Sequence, residues 1–255
     1  MTSPSFPPYF NIPQWPVFYS DNHLLALYKP AGLLIQGDHT GDVTLMDLAR
    51  QWIKLHYQKP GQVFLGLVHR LDRPVAGVVL FARTSKAAGR ISEQFRSGRT
   101  EKQYVAVLEG VLPEKQGRLI HHLERRGSSG KIVDQSTDTS REARLNFQVL
   151  DTFQSRSLVE ISLETGRHHQ IRLQFAHLGC PVVGDLRYGA SKPMPERQIA
   201  LFARTLSVFH PTRGDLLSFA CPFPKGWPWP KMEDDENAPF WNWNDVRSQL
   251  IIEKF

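Results

Sequence analysis

Three short segments of this 255-residue sequence carry residue types that could do chemistry. The first is His69-Arg70-Leu71-Asp72-Arg73-Pro74-Val75-Ala76-Gly77, which stands directly ahead of an apolar stretch. Its carboxylate, Asp72, lies between two arginines, and flanking cations stabilise the ionised form that a nucleophile requires. Taken alone, the segment fits a surface aspartate paired with Arg70 or Arg73 better, because short motifs often match by chance.

The second segment, Lys102-Gln103-Tyr104, opens an apolar run that is typical of a strand. A tyrosine at such a point can stack its ring on a nucleobase while its hydroxyl reaches a proton. It can also cover the edge of a core, because tyrosine is common on amphipathic strands. The residues alone therefore leave two interpretations of Tyr104 open.

The third segment, Arg167-His168-His169-Gln170-Ile171-Arg172, follows the turn at Thr165-Gly166 and begins a helix. Backbone N–H groups at a helix start favour anions, and the arginines add to that field. These histidines and His177 lack the spacing of three or four residues that a helical metal site needs, and no nearby cysteine completes a set. We therefore expect a helix start that faces an anion, and no metal.

The composition favours a polyanionic partner. Lys and Arg total 31 against 25 Asp and Glu, a net charge of +6, and neutralising phosphates strengthens binding by releasing counterions. The basic residues are concentrated in two stretches: Arg83, Lys86, Arg90, Arg96, Arg99 and Lys102, then Arg118, Arg125, Arg126, Lys131, Arg141 and Arg144. With two cysteines, no signal-peptide pattern and no apolar run long enough to span a bilayer, the sequence predicts a soluble cytoplasmic protein with no membrane contact.

Hydrophobic periodicity and turn residues place these segments in an α+β fold. The expected elements are a strand over 23–28, a helix from Thr44 to about Pro60, a strand over 78–82, a helix from Thr84 to Gly98, a strand over 104–108, a hairpin over 145–149 and 159–163, and a helix over about 168–178. Hairpins outnumber βαβ units, which favours a mixed, mostly antiparallel central sheet with flanking helices. Residues 113–140 have weak periodicity and many Gly, Ser and basic residues, so we expect an exposed excursion.

The composition also divides the chain into three parts. Residues 1–16 are rich in proline and aromatics, which predicts an irregular N-terminal arm. Residues 17–224 would form one domain, and residues 225–255 a C-terminal extension that ends in a helix over 244–255.

Taken together and in this order, the three segments resemble the motifs of the RluA-type pseudouridine synthases. Two further stretches are similar, Gly184-Asp185-Leu186-Arg187-Tyr188-Gly189 and the run from Leu201 to Pro211, so the likeness extends over about residues 17–224. One departure is Val75-Ala76-Gly77, where the family most often has Thr-Ser-Gly. The resemblance implies the pseudouridine synthase catalytic fold. It also implies the isomerisation of uridine to pseudouridine in structured tRNA or rRNA, without a cofactor.

The resemblance further implies a role for each candidate residue. Asp72 would be the catalytic carboxylate, Tyr104 would lie against the target uracil, and Arg172 would pair with Asp72. Arg70 would fill the space that the extruded base leaves in the RNA stack. The other RNA-binding candidates are the polar residues beside these motifs, Arg73, Lys102, Arg167 and His168.

Family habit implies a monomer with no obligatory protein partner. About twenty residues precede the first strand, too few for a separate RNA-binding domain. We therefore expect the catalytic domain to supply the RNA contacts, including those from residues 113–141.

Two other functions stay open. A non-catalytic RNA-binding protein that keeps the fold would have the same basic surface but would tolerate the loss of Asp72. A glycoside-type hydrolase would need two carboxylates a few ångströms apart. A second acid within reach of Asp72 would favour that hydrolase, whereas an arginine there would argue against it.

Overall fold

The computed structural model describes residues 17–230 and Asn244. In that part of the chain the strands are β1 Val17–Ser20, β2 Leu24–Lys29, β3 Gly66–Leu67, β4 Ala76–Ala82, β5 Glu101–Glu109, β6 Gln116–Arg126, β7 Ser129–Val133, β8 Ser140–Phe153, β9 Arg156–Leu163, β10 Leu201–Phe209 and β11 Leu216–Ala220. The helices are α1 Leu45–His56, α2 Ser85–Arg96 and α3 Gln170–His177, with short 3-10 helices at Leu186–Tyr188 and Pro195–Arg197. The arm predicted over 1–16 and, apart from Asn244, the helix predicted over 244–255 lie outside the described residues.

The described strands join one sheet in the order β1-β2-β4-β10-β5-β9-β8-β6-β7, with β3 paired to β4 and β11 paired to β10. The pairings are antiparallel except for the one between β4 and β10, which is parallel. This confirms the predicted α+β fold with a mixed, mostly antiparallel sheet. The predicted hairpin over 145–149 and 159–163 is confirmed as part of the longer β8–β9 pair, which continues to the turn through residues 151–153 and 156–158.

The centre of the sheet is buried because its strands are apolar on both faces. Every residue of β2 and β4 is buried. The first two helices begin at the predicted caps. The Thr44 hydroxyl accepts from the Asp47 N–H while the Asp47 carboxylate accepts from the Thr44 N–H, and the Thr84 hydroxyl accepts from the Ala87 N–H. Such caps each stabilise a helix by about 1 kcal/mol.

Two helix boundaries differ from the prediction by up to four residues. α1 ends at His56, before the predicted stop at Pro60, and Gln58 just beyond it has a φ of 49°. α3 begins at Gln170 rather than 168, because His169 adopts a left-handed backbone with φ 55° and ψ 26°. In both cases a positive φ at a non-glycine residue interrupts the helix, and side-chain periodicity does not reveal it.

The loop that carries Asp72 turns tightly into β4. The backbone N–H of Val75 donates to the Asp72 carbonyl at 3.0 Å, and the side chains of Val75 and Ala76 are buried. Gly77 has a φ of 134°, and a Cβ atom there would lie 2.3 Å from the carbonyl oxygen of Ala203. Glycine is therefore required where β4 meets β10, and the turn closes through the backbone without the hydroxyls of a Thr-Ser pair.

The segment over 113–140, predicted as an exposed excursion, is regular rather than irregular, although Leu123 is the only buried residue of β6 and none of β7 is buried. Most of these residues form the β6–β7 hairpin, and β6 pairs with β8 from Gln116 to Glu124. Leu123 packs in a small apolar cluster with Ala143 and Leu173. Because a strand at this position buries only one face, its other face keeps the charged composition that is also typical of loops.

The apolar core continues beyond residue 224. Trp227 and Trp229 are buried in the same cluster as the central strands, within the segment predicted to be an extension. The division of the chain at residue 224 stays a prediction. Among the described residues, no helix combines the length and apolar character needed to cross a bilayer.

Candidate active site

The structure brings Asp72 and Arg172 together although they are 100 residues apart in the chain. Asp72 lies in the turn before β4, and Arg172 projects from the first turn of α3. The Arg172 Nη1 atom donates to the Asp72 Oδ2 atom at 3.0 Å. The Asp72 side chain keeps 28% of its exposure while that of Arg172 keeps 6%, so the pair presents its carboxylate side to solvent.

A second aspartate, Asp185, binds the atoms of the Arg172 guanidinium that do not contact Asp72. The Arg172 Nε and Nη2 atoms donate to Asp185 Oδ2 and Oδ1 at 2.6 and 2.9 Å, a bidentate geometry that is among the strongest in proteins. Burial alone would lower the pKa of Arg172, but the hydrogen bonds and charges of Asp185 and Asp72 outweigh it and raise that pKa. The Asp185 side chain is 2% exposed, so its contact is with the guanidinium and not with solvent.

His169 is the third group at the Asp72 carboxylate. Its Nε2 atom lies 3.3 Å from Asp72 Oδ2, and its Nδ1 atom lies 2.6 Å from the Tyr188 hydroxyl. That hydroxyl accepts from the backbone N–H of Gly130 in β7 at 3.1 Å. Burial lowers the pKa of His169 to about 3 although the Asp72 charge opposes it, so the ring is neutral at neutral pH. The sequence motif contained His169 and Tyr188 without indicating that they touch.

Tyr104 lies on β5, between Ala203 of β10 and Ile161 of β9. Burial raises the pKa of Tyr104 well above its ordinary value, and the negative charge of Asp72 adds to this effect. A phenol in these surroundings stays protonated at neutral pH. It can offer a ring face and an O–H donor, whereas a phenolate is strongly disfavoured.

Lys29 is a residue of the site region that the sequence did not single out. Its side chain is fully buried, and its Nζ atom donates to the carbonyls of Pro30, Leu33 and Arg73 at 3.0, 2.8 and 3.1 Å. Burial lowers the pKa of Lys29 to about 7, and the Asp72 charge opposes that shift. These bonds fasten the Asp72 turn to the loop after β2. A lysine that ends a fully apolar strand was the available signal.

His69, at the start of the Asp72 segment, has a packing role in the structure. Its Nε2 atom accepts from the Leu80 N–H at 2.9 Å, and its ring stacks on Phe95 with 5.0 Å between centroids. Burial, with a smaller effect from Lys102, lowers the pKa of His69 to about 4. The neutral ring thus anchors the segment against β4 and α2.

The five RNA-binding candidates differ in how many hydrogen bonds and ion pairs they make with the rest of the described chain. Arg70 is exposed and makes no hydrogen bond or ion pair with the described part of the chain. Arg73 instead donates to the Gly32 carbonyl at 3.0 Å and to the Asp42 carboxylate at 2.9 Å, which ties it to the loop after β2.

The other three candidates lie near the start of α3. Arg167 is exposed and donates to the Glu142 carbonyl at 2.9 Å, and burial lowers the pKa of Lys102 with a smaller contribution from Arg167. His168 stacks on His169 with 3.7 Å between ring centroids, and its buried Nδ1 atom has no hydrogen-bond partner within the described chain.

Comparison with known proteins places this chain in a family. Residues 23–177 match the family described as RNA pseudouridylate synthase. The chain is 31% identical over 226 residues to ribosomal large subunit pseudouridine synthase D of Xylella fastidiosa, with 82% of this chain and 66% of the relative covered. It is 32% identical over 222 residues to tRNA pseudouridine synthase C of Haemophilus ducreyi, covering 76% of this chain and 85% of that protein.

A solved structure agrees at the level of the fold. The human protein described as RNA pseudouridylate synthase domain containing 4 superposes with a TM-score of 0.70 at 24% identity, over 82% of this chain and 88% of that one. The chain belongs to the RNA pseudouridylate synthase family, whose members are isomerases of uridine in RNA. This confirms the resemblance to the RluA-type synthases. The match spans 66% of the length of the Xylella relative.

Proposed function

We propose that this chain is an RNA pseudouridine synthase that isomerises specific uridines in structured rRNA or tRNA, with Asp72 as the catalytic carboxylate. One observation carries the proposal. In a chain of this family, a partly exposed aspartate at the matching motif position is held by a buried guanidinium whose remaining bonds go to a second, inaccessible aspartate.

The reaction requires the target base to leave the stack so that its atoms can be reached. The N1–C1′ bond then breaks, the uracil turns, and a bond forms between C5 and C1′. C5 loses a proton, N1 gains one, and the product is an isomer of the substrate, so no redox cofactor is needed. In this scheme Asp72 acts as nucleophile or base.

The remaining candidates divide between the base and the phosphates. The protonated phenol of Tyr104 fits stacking on the flipped uracil better than taking the C5 proton, because its phenolate is disfavoured. Arg70 has the freedom to enter the vacated stack, and Arg167, His168 and Lys102 would bind the neighbouring backbone. Arg73, held by Asp42, would support the Asp72 turn more than it contacts RNA.

The β6–β7 hairpin would add to the RNA surface. The end of β6 next to its turn carries the exposed Arg125 and Arg126, and Arg187, beside the Asp185 motif, donates to the Ser128 carbonyl in that turn. These contacts hold two positive charges next to the catalytic cleft, where phosphates of a bound RNA would lie. We further propose a cytoplasmic monomer without an obligatory protein partner, and a catalytic domain over residues 17–224.

The geometry disfavours the glycoside-type hydrolase. The second acid near Asp72 is Asp185, but it lies on the far side of the Arg172 guanidinium and is 2% exposed, so it cannot reach a substrate as a second catalytic acid. A non-catalytic RNA-binding protein would keep the same contacts, and only an activity measurement separates it from the enzyme.

The test has two stages. Pseudouridines are first mapped in rRNA and tRNA from cells with and without the protein, which identifies the target site. The same RNA, taken from cells lacking the protein, is then incubated with purified wild type, Asp72→Asn and the exposed control Asp134→Asn. We expect modification by wild type and the control only. Modification by Asp72→Asn at the wild-type rate would overturn the assignment.

A further inference from the structure

Arg172 and His169 make their closest contacts with the same oxygen of the Asp72 carboxylate. The Arg172 Nη1 atom lies 3.0 Å and the His169 Nε2 atom 3.3 Å from Oδ2. The Oδ1 atom accepts no hydrogen bond from residues 17–230. Resting on the proposed function, we infer that His169 and Tyr188 are positioning residues that, together with Arg172, orient Asp72 so that Oδ1 is the oxygen presented to the uridine.

The hydrogen-bond pattern around Tyr188 determines which nitrogen of His169 carries the proton. The Tyr188 oxygen accepts from the Gly130 N–H at 3.1 Å, which leaves its own O–H free to donate to His169 Nδ1 at 2.6 Å. A neutral imidazole has one N–H, so Nδ1 as acceptor puts that proton on Nε2. The nitrogen that carries the proton is then the one that lies 3.3 Å from the anionic oxygen, whereas the other tautomer would set a lone pair against it.

The backbone holds the ring in this position. His169 has φ 55° and ψ 26°, a left-handed conformation that non-glycine residues adopt only when their surroundings impose it. Its carbonyl accepts from the Leu173 N–H at 2.9 Å, the first bond of α3. Stacking on His168 covers one face of the ring. The imidazole is therefore fixed from the backbone, the ring face and Nδ1 at once.

This arrangement orients the Asp72 carboxylate without neutralising its negative charge. Asp185 matches the positive charge of Arg172 with two hydrogen bonds, and the His169 ring that contacts Asp72 is neutral. The three groups Asp72, Arg172 and Asp185 together keep one net negative charge. Because the Arg172 hydrogen bond and the His169 contact are both at Oδ2, the oxygen left for the uridine is Oδ1.

The link also reaches the proposed RNA surface. Gly130 follows the turn of the β6–β7 hairpin, so one chain of contacts runs from the hairpin through Tyr188 and His169 to Asp72. If the hairpin moved away from α3, the Tyr188 hydroxyl would lose the hydrogen bond that it accepts from the Gly130 N–H. A hairpin seated on RNA would keep the catalytic oxygen in its working orientation.

The first test measures single-turnover pseudouridine formation at saturating amounts of a transcript of the mapped target segment, with transcript affinity measured separately. We expect His169→Ala to lower the rate constant by about 10- to 100-fold, with the transcript Kd changed less than about twofold. His169→Gln, whose amide N–H can reach the Nε2 position, should recover much of the rate, and Tyr188→Phe should fall between. Controls are His177→Gln on the exposed end of α3 and Tyr57→Phe on the surface.

The second test needs no RNA. Nitrogen NMR of the free protein labelled with ¹⁵N-histidine should show His169 as the Nε2–H tautomer, and Tyr188→Phe should shift that population. A wild-type Nδ1–H tautomer, a full rate in His169→Ala, or a loss confined to Kd would each overturn the inference. If His169→Ala does not fold, Tyr188→Phe and the tautomer decide. Full activity of Asp72→Asn would instead refute the proposed function.

Discussion

Within the described residues, Asp21 and Asp72 each contact an arginine and a histidine, and they differ in how many of their carboxylate oxygens accept hydrogen bonds. Asp21, between β1 and β2, accepts through Oδ1 from the backbone N–H groups of residues 23 and 24 at 2.7 and 2.8 Å. Its Oδ2 atom contacts Tyr19 at 2.8 Å, His210 at 2.7 Å and Arg213 at 3.2 Å. Asp72 has two contacts, both on Oδ2.

The comparison separates a structural aspartate from a reactive one. Asp21 connects the turn after β1 to the loop between β10 and β11, and its carboxylate has no oxygen left for a substrate. The same residue types around Asp72 leave Oδ1 without a hydrogen bond from the described residues, on a side chain that keeps 28% of its exposure. An acid–histidine–arginine group therefore predicts chemistry only when its hydrogen-bonding capacity is incomplete on the accessible side.

The largest expected effect is a difference in activity between variants of the two aspartates. Asp72→Asn should lower single-turnover pseudouridine formation by about 10³-fold or more, because the only free anionic oxygen is lost. Asp21→Asn, once folded, should keep the wild-type rate per molecule. The measurement is the rate constant on the mapped RNA beside the fraction folded from circular dichroism. Equal losses in the two variants would remove the distinction.

The next effect concerns the pair behind the catalytic carboxylate. Asp185→Asn leaves the buried Arg172 without its main counter-charge, so the free energy of unfolding should fall by about 3–5 kcal/mol. The matched control is Asp215→Asn, which breaks the exposed pair with Arg213 and should cost less than about 1 kcal/mol. Urea unfolding measures both, and similar losses would contradict a special role for Asp185.

A smaller effect appears in acid. Burial alone would raise the pKa of Asp21, but the backbone bonds from residues 23 and 24 and the side-chain bonds from Tyr19 and His210 lower it well below its ordinary range. A depressed folded pKa means that Asp21 stabilises the protein above about pH 4, where the unfolded residue is ionised, and that this contribution disappears as pH falls further.

Wild type should therefore lose about 1–3 kcal/mol more stability than Asp21→Asn between pH 6 and pH 2.5. Thermal or urea unfolding at stepped pH checks the difference, with Asp134→Asn as the exposed control. Parallel curves for wild type and Asp21→Asn would show that the native bonds do not depress this pKa.

Sequence reasoning reached the parts of the site that are contiguous in the chain. Asp72 and Arg172 each stand in a dense motif, and the elements beside them, the apolar strand β4 and the helix α3, have a period that is easily recognised. The contacts of Lys29 and Asp185 were not accessible in this way, because each acts on a residue that the fold alone brings near. Lys29 bonds to a carbonyl 44 residues later, which no local pattern encodes.

The β6–β7 hairpin was not predicted, for a different reason. Its composition is that of a loop, and the apolar alternation that makes it a strand involves few side chains on one face. Pairing with β8 decided its structure, and that partner lies beyond any local window. The left-handed backbone of His169 was hidden likewise, since it depends on the bond between its ring and Tyr188.

The smallest effect tests the hairpin as an RNA surface. Arg125→Gln together with Arg126→Gln removes two exposed charges from the end of β6 beside the turn, while the pairing of β6 with β8 is kept. The slope of log affinity against log salt should fall by about 2, and affinity at a fixed salt concentration should fall by roughly tenfold or less. Arg156→Gln, at the opposite end of β9 from α3, should leave both unchanged. Because Gly130 and Tyr188 stay in place, the single-turnover rate at saturating RNA should also be kept; a loss of rate without a change in salt slope would mean that the turn acts on Asp72 and not on phosphates.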